Sequence, residues 1–237
     1  MSYNAPSYNC PMCPRLVAFR EANRIAYPSF FNGPVPSFGN LDAELLVVGL
    51  APGLKGANQT GRPFTGDYAG IILYSALKKY GFAEGDYNPE KIIETRSEAR
   101  GSRREAQGTR HEDGFTLQNC RITNGVRCVP QANKPEPSEI KQCNTFLVNE
   151  IKAMPQLKVI VTLGQIAHKA VIMALGLKQS AYKFAHGAEH HLSLNTKHLS
   201  LLNSYHCSRY NINTGVLTQA MFDKIIEKGK TYLFPGH

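Results

Sequence analysis

An α/β fold, a three-layer sandwich with a central, largely parallel four-stranded sheet flanked by helices, is predicted by two regularities of this 237-residue chain. Four short apolar runs recur along it, and segments with helix start and stop signals lie between them. The first run, Glu44 to Leu50 (ELLVVGL), closes on Gly and Pro and reads as a buried strand. A glycine-dense loop, Ala51 to Asp67, leads to a helix from about Tyr68 to Tyr80, stopped by Gly81. Cys120 to Val126 (CRITNGV) is the second strand, followed by a Pro-rich turn and a helix from about Ser138 to Lys152. Lys158 to Leu163 (KVIVTL) is the third, and Gly164 opens a helix to about Leu175. His198 to Leu202 (HLSLL) is the fourth, and Gly215 to Gly229 supplies a closing helix.

With 42% hydrophobic residues, the chain can build one sizeable core. The expected organisation is a single domain over residues 1–237. It carries an N-terminal metal-bearing arm over about residues 1–40 and an exposed charged insertion over about 85–114. In that insertion Arg96, Arg100, Arg103, Arg104 and Arg110 alternate with Glu, the pattern of a solvated loop or of a phosphate contact. His186, His190 and His191 read as a surface loop. The apolar stretch Leu157 to Leu177 is broken by Lys158, Gln165, His168 and Lys169, which excludes a membrane span. Met1 to Pro14 is polar and Pro-broken, without the apolar centre of an export signal, so a cytoplasmic, nucleoid-associated location is expected. A formal net charge of +9 points to a polyanionic partner. No separate apolar association segment stands out, so a monomer is expected.

Four cysteines narrow the chemistry. Cys10 and Cys13 form a C-x-x-C pair, and Cys128 and Cys143 follow more than a hundred residues later. Four thiolates gathered by the fold suit a [4Fe-4S] cluster or, alternatively, a structural zinc. Reduced intracellular thiols favour metal over disulfides. Cys120 and Cys207 read as core cysteines.

Ligands of open parallel sheets bind beyond the carboxyl ends of the strands. That rule selects the loop from Gly49 to Asp67, the neighbourhood of Asn124, and the stretch Asn203 to Asn211. Together they offer a carboxylate, an amide, an imidazole, an aromatic face and glycine-flanked backbone amides.

The G-x-A-P-G opening at Gly49 to Gly53, the Gly61-Arg62-Pro63-Phe64 element, Asn124-x-Val126-x-Cys128 and the late His206-x-Ser208 loop occur in an order that resembles the uracil-DNA glycosylase superfamily. The four cysteines resemble its iron–sulfur branches, families 4 and 5. Leu50 stands where family 4 carries an acidic residue, and with Thr65-Gly66-Asp67 and Ser204-Tyr205-His206 this looks like family 5, the b type. The resemblance implies hydrolysis of the N-glycosidic bond of uracil in DNA, leaving an abasic site. It also implies a pocket tolerant of other deaminated bases such as hypoxanthine.

Carried onto this chain, the resemblance places Asp67 and His206 as catalytic groups. Asp67 would orient water or steady the sugar cation, and is equally an N-cap candidate before the helix at Tyr68. His206 would donate a hydrogen bond to the leaving base. Gly49, Leu50, Gly53, Phe64 and Asn124 would bind the base, Phe64 by stacking and Asn124 through its amide. Ser208, Arg209 and Tyr210 would press into DNA. The cysteine site would pin residues 10–13 to 128–143 as a structural element. A nucleic-acid-binding module built on that metal site, without catalysis, is the competing reading.

Overall fold

The computed structural model describes residues 4–88, 114–194 and 197–235. Its elements are α1 (Pro14–Ala26), β1 (Leu45–Gly49), α2 (Ala57–Thr60), α3 (Tyr68–Lys79), β2 (Ala83–Glu84), β3 (Thr116–Leu117), β4 (Cys120–Asn124), α4 (Pro137–Ala153), β5 (Val159–Leu163), α5 (Gln165–Ala174), β6 (Glu189–Leu194), β7 (Lys197–Ser204), α6 (Arg209–Asn213) and α7 (Gln219–Leu233). The main sheet runs in the order β4-β1-β5-β7-β6. Its first four strands are parallel, with Val47 opposite both Ile122 and Val161.

The expected four-stranded sheet has a fifth strand. β6 pairs antiparallel with β7 and carries His190 and His191, which the sequence pattern had assigned to a loop. As an edge strand it buries little beyond Leu192, so it lacks the continuous apolar run that marks the inner strands. The helix α1 was also unforeseen. Pro14 begins it, and its inward face includes Arg20 and Asn23 beside Leu16, so its apolar stripe is thin. The last helix starts at Gln219 rather than Gly215, because the Thr218 side chain accepts from the Met221 amide and caps it there. Most of the charged stretch 85–114 lies outside the described residues.

Successive residues of β1 face opposite layers. Leu45 and Val47 join α3 and α7 through Leu73, Leu77, Phe222 and Ile226. Leu46 and Val48 join α4 and α5 through Leu147, Ile151, Val171 and Ile172. From β1 the chain turns toward β4, and from β5 toward β7, so the loops after β1 and β5 diverge and leave a crevice at the carboxyl edge.

The edge strand β4 is covered rather than open. Phe38 and Ile122 exchange backbone hydrogen bonds of 2.9 and 2.7 Å, and the Val35 amide donates to the Arg127 carbonyl at 2.7 Å. Beneath this cover lies a polar bracket. Arg121 Nε donates to Glu150 Oε1 at 2.6 Å, Arg127 Nη2 donates to Glu150 Oε2, and the Thr123 hydroxyl donates to Glu150 Oε2 at 2.9 Å. Arg127 Nη1 reaches the Ser37 hydroxyl at 2.6 Å, and Arg121 Nη1 reaches the Gly39 carbonyl.

Burial alone would raise the Glu150 pKa, but Arg127 and Arg121 with the surrounding hydrogen bonds hold it below its usual 4.5. A depressed carboxyl contributes stability above its unfolded pKa and loses it as pH falls through the folded value. Glu150→Ala leaves two guanidiniums buried without their counter-ion. It should lower unfolding free energy by about 3–5 kcal/mol in urea titrations at neutral pH, and the deficit should shrink in acid. An unchanged midpoint would show that the bracket does not hold the fold.

Candidate active site

Four strand ends meet the crevice, and what they present depends on a missing side chain. Gly49 ends β1 opposite Asn124, which ends β4. A Cβ on Gly49 would lie 2.5 Å from Phe64 Cζ and closer still to Asn124 Oδ1. The bare backbone therefore lets the Phe64 ring and the Asn124 amide share one cradle. Asn124 is 3% exposed, and its amide makes no hydrogen bond among the described residues, which leaves donor and acceptor free for a ligand.

Phe64 is held there against backbone preference, with φ at +55°. The Tyr74 hydroxyl donates to the Pro63 carbonyl at 2.5 Å, and the Tyr87 hydroxyl to the Phe64 carbonyl at 3.4 Å. Arg62, fully buried, lies 5.0 Å from the Phe38 ring centroid and 5.7 Å from that of Phe115. These side chains fix the turn that carries Phe64. Sequence reading passed over Tyr74 and Tyr87, because aromatic residues near a helix and a loop look like ordinary core.

Asp67 is the N-cap of α3, accepting from the Gly70 amide at 3.2 Å. Its other oxygen faces glycine, since a Cβ on Gly56 would come within 2.7 Å of Oδ2. The side chain opens to solvent on one side while protein crowds the rest. Desolvation pushes its pKa above 3.8, against the pull of the Gly70 and Ala69 amides. Capping therefore occupies one carboxylate oxygen and leaves the other turned toward the Gly53 and Gly56 backbone. Sequence reading did not single out Gly56; its place directly before a helical turn in a glycine-dense loop is the available signal.

His206 follows β7. Its ring stacks at 30° to Phe64 with centroids 6.2 Å apart. Burial lowers its pKa below 6.5, and its ring nitrogens make no hydrogen bond among the described residues. Asn211 Nδ2 donates to the His206 carbonyl at 2.8 Å, which fixes the backbone of the loop. Gly164, directly after β5, turns the chain at a φ of +96° that favours glycine, and its Cα lies beside His206.

The structure thus brings Gly49, Phe64, Asn124 and His206 into one chain of contacts and sets Asp67, backed by Gly53 and Gly56, on the loop that begins at Leu50. Ser208 caps α6 by accepting from the Asn211 amide at 3.3 Å. Arg209 lies 5.4 Å over the Tyr68 ring, and Tyr210 is 73% exposed beside it.

Cys10, Cys13, Cys128 and Cys143 line one cavity on the far side of β4, with Arg20 and Arg127 in its wall. The Arg127 amide lies 3.3 Å from Cys143 Sγ, and Arg20 approaches Cys128 and donates to the Cys10 carbonyl at 3.0 Å. As free thiols, three of them are hard to ionise: burial pushes Cys128 to about 12 and Cys13 to about 11, and raises Cys143 as well. A cationic centre would make thiolates favourable here, and N–H donors beside the sulfurs are the groups that support one. The donor set therefore fits an iron–sulfur cluster. Among the described residues no group of three or more Cys, His, Asp or Glu side chains is arranged to hold a metal ion. Cys120 and Cys207 are buried elsewhere in the main core.

A model of the family described as the uracil DNA glycosylase superfamily matches residues 36–230. A type-5 uracil-DNA glycosylase of Thermus thermophilus is 38% identical, over 93% of this chain and 92% of that protein. One of Pyrobaculum aerophilum is 33% identical, over 93% and 87% respectively. A type-4 uracil-DNA glycosylase of Sulfurisphaera tokodaii is 29% identical, over 84% and 76%.

The site's electrostatics can be read directly. In a titration followed by NMR, the His206 imidazole should be neutral at pH 7 and take its proton only below pH 6.5, while Asp67 should release its proton above pH 3.8. A His206 midpoint at or above the ordinary value would show that the crevice does not desolvate it.

Proposed function

The chain belongs to the uracil-DNA glycosylase superfamily, and from that membership we propose that it excises uracil from DNA by hydrolysing the N-glycosidic bond, leaving an abasic site. The observation that carries the proposal is the shared cradle at Gly49, where an aromatic ring and an unengaged amide converge at the carboxyl edge of the sheet.

A base must leave the duplex to enter so narrow a cradle. Phe64 stacks on the extruded ring, while the Asn124 amide accepts from uracil N3–H and donates to a neighbouring carbonyl. Backbone amides around Gly49, Leu50 and Gly53 add donors at close range. Water attacks C1′, the C1′–N1 bond breaks, and its electron pair leaves with the base. Asp67, as the carboxylate, accepts a hydrogen bond from that water and faces the cationic sugar. His206, neutral at working pH, donates its N–H to the base as negative charge grows there.

Leu50 supplies no charge beside the sugar, so that task falls to Asp67. The apolar position discriminates little by hydrogen bonding, and hypoxanthine is a second substrate on this reading. Ser208, Arg209 and Tyr210 form a loop that enters DNA, Arg209 through phosphate and Tyr210 against a base step. The net charge of +9 draws the polyanion in. Cys10, Cys13, Cys128 and Cys143 hold a [4Fe-4S] cluster that cross-links the N-terminal arm to the loop after β4. The enzyme works as an intracellular monomer.

The test is alkali-dependent cleavage of an end-labelled duplex bearing one uracil. Asp67→Asn keeps an N-cap acceptor but removes the charge, so stability should hold while kcat falls about 10²- to 10⁴-fold. Equal loss of stability and activity would reduce Asp67 to a cap. Since the carboxylate is the working form, wild-type rates should fall as pH drops through its raised pKa, above 3.8, and that limb should vanish in Asp67→Asn. No cleavage by folded wild-type protein would sink the proposal.

Gly49→Ala puts a methyl into the cradle and should lower kcat/KM about a hundredfold, a loss larger than the about 1–3 kcal/mol of overpacking read in urea titrations would explain in protein that remains folded. Wild-type rates in this variant would show that the base binds elsewhere. Anaerobically purified protein should be brown and contain iron without zinc, and Cys128→Ser should lose both colour and iron. Colourless protein holding zinc would replace the cluster with a single-ion site.

A further inference from the structure

An aromatic group that the catalytic scheme does not use lies at the carboxyl end of β7. Tyr205 directly precedes His206 and is 37% exposed. Its ring stacks on His186 at 5.1 Å and 26°, and Phe184 lies 6.2 Å away on the same patch. The Tyr205 amide donates to His186 Nδ1 at 3.2 Å. That bond makes Nδ1 an acceptor, so a neutral His186 carries its proton on Nε2 and its ring plane is fixed. Burial, which lowers the His186 pKa below 6.5, favours the same neutral form.

The sheet topology places this pair at the working edge. β6 runs antiparallel to β7, with Glu189 opposite Leu202, so the segment leading into β6 lies beside the carboxyl end of β7. The Gly187 amide donates to the Asn203 carbonyl at 2.8 Å and ties that segment down. Read along the carboxyl edge, the order is Asn124 after β4, Gly49 after β1, Gly164 and His206 after β5 and β7, then the Tyr205–His186 pair on the β6 flank.

We propose that Tyr205, backed by His186, is a stacking platform for an unpaired nucleobase flanking the extruded nucleotide. The proposal rests on the excision reading above. A rigid, partly exposed pair of rings next to the residue that meets the extruded base is suited to a second π-face, and stacking accepts any base. The basic chain supplies the phosphate attraction, and the rings hold the neighbouring base out of its pair. A second protein chain as occupant would not need the platform to be continuous with His206.

The experiment uses full-length, metal-replete protein and duplexes carrying 2′-fluoro-deoxyuridine, which resists cleavage, with 2-aminopurine at either neighbouring position. Wild-type protein should quench 2-aminopurine at one flank. Tyr205→Ala should abolish that quench and weaken binding about tenfold, and Tyr205→Phe should restore both. His186→Ala should give a partial loss, because the platform remains but is no longer braced. Thermal melting of each variant separates loss of stacking from loss of fold. No quenching at either flank by wild-type protein, or a quench that survives in folded Tyr205→Ala, would overturn the platform. Wild-type excision of uracil, measured in parallel, keeps that failure distinct from failure of the excision reading itself.

Discussion

One carboxylate organises the half of the molecule that reaches both the crevice and the cysteines. Glu150 sits fully buried between Arg121 and Arg127, and the polar groups gathered around it come from three pieces of chain. Arg121 and Thr123 lie on β4, Arg127 on the loop beyond it, and Ser37 and Gly39 on the segment that covers the edge. A buried ion pair rarely adds net stability over an apolar substitute, but a broken one is costly. Its contribution is to fix register: β4 can slide by no residue without stranding a guanidinium. Asn124 ends that strand and Cys128 follows it by four positions, so the Asn124 amide and one thiol of the four inherit their placement from Glu150.

Around the crevice, position is set by what glycine leaves out. Gly49 admits Phe64 and Asn124 to one cradle, and Gly56 admits the Asp67 carboxylate to its wall. The same crowding that gives these contacts removes water, and it acts on the two titratable groups in opposite senses. It lifts the acid toward its neutral form and lowers the imidazole toward its own. Two backbone donors oppose the lift at Asp67, whereas nothing among the described residues opposes the desolvation of His206.

The inner strands were legible because a strand buried on both faces carries a continuous apolar run, and Leu45 to Val48 and Val159 to Val161 are such runs. The strand-end loops were legible for a different reason. Gly, Asn and His at the ends of such strands have little structural work to do there. β6 was not legible: its one deeply buried side chain, Leu192, gives no period, and its pairing with β7 is a backbone property. Nor was α1, whose buried face includes Arg20 and Asn23. The bracket around Glu150 was invisible as well, since four of its members are charged or hydroxyl residues that sequence statistics place on the surface. Asp67 was legible as an N-cap and as a carboxylate, and the fold gives it both surroundings at once.

The cysteine cavity and the crevice are joined by one stretch of backbone. The Gly125 amide donates to the Gly49 carbonyl at 2.9 Å, and the Val126 amide to the Leu50 carbonyl at 2.8 Å. The parallel pairing of β1 and β4 therefore continues past both strand ends, into the loop that carries Leu50 and toward the one that carries Cys128. Val126 then packs with Leu16, Cys143 and Phe146 in the small core that borders the thiols. Anything that tightens that core draws on Val126, and Val126 is hydrogen-bonded to the residue beside the base cradle. A cluster bound by the four thiols would thus stiffen the crevice wall through two backbone hydrogen bonds. It would need no direct contact with the cradle to do so.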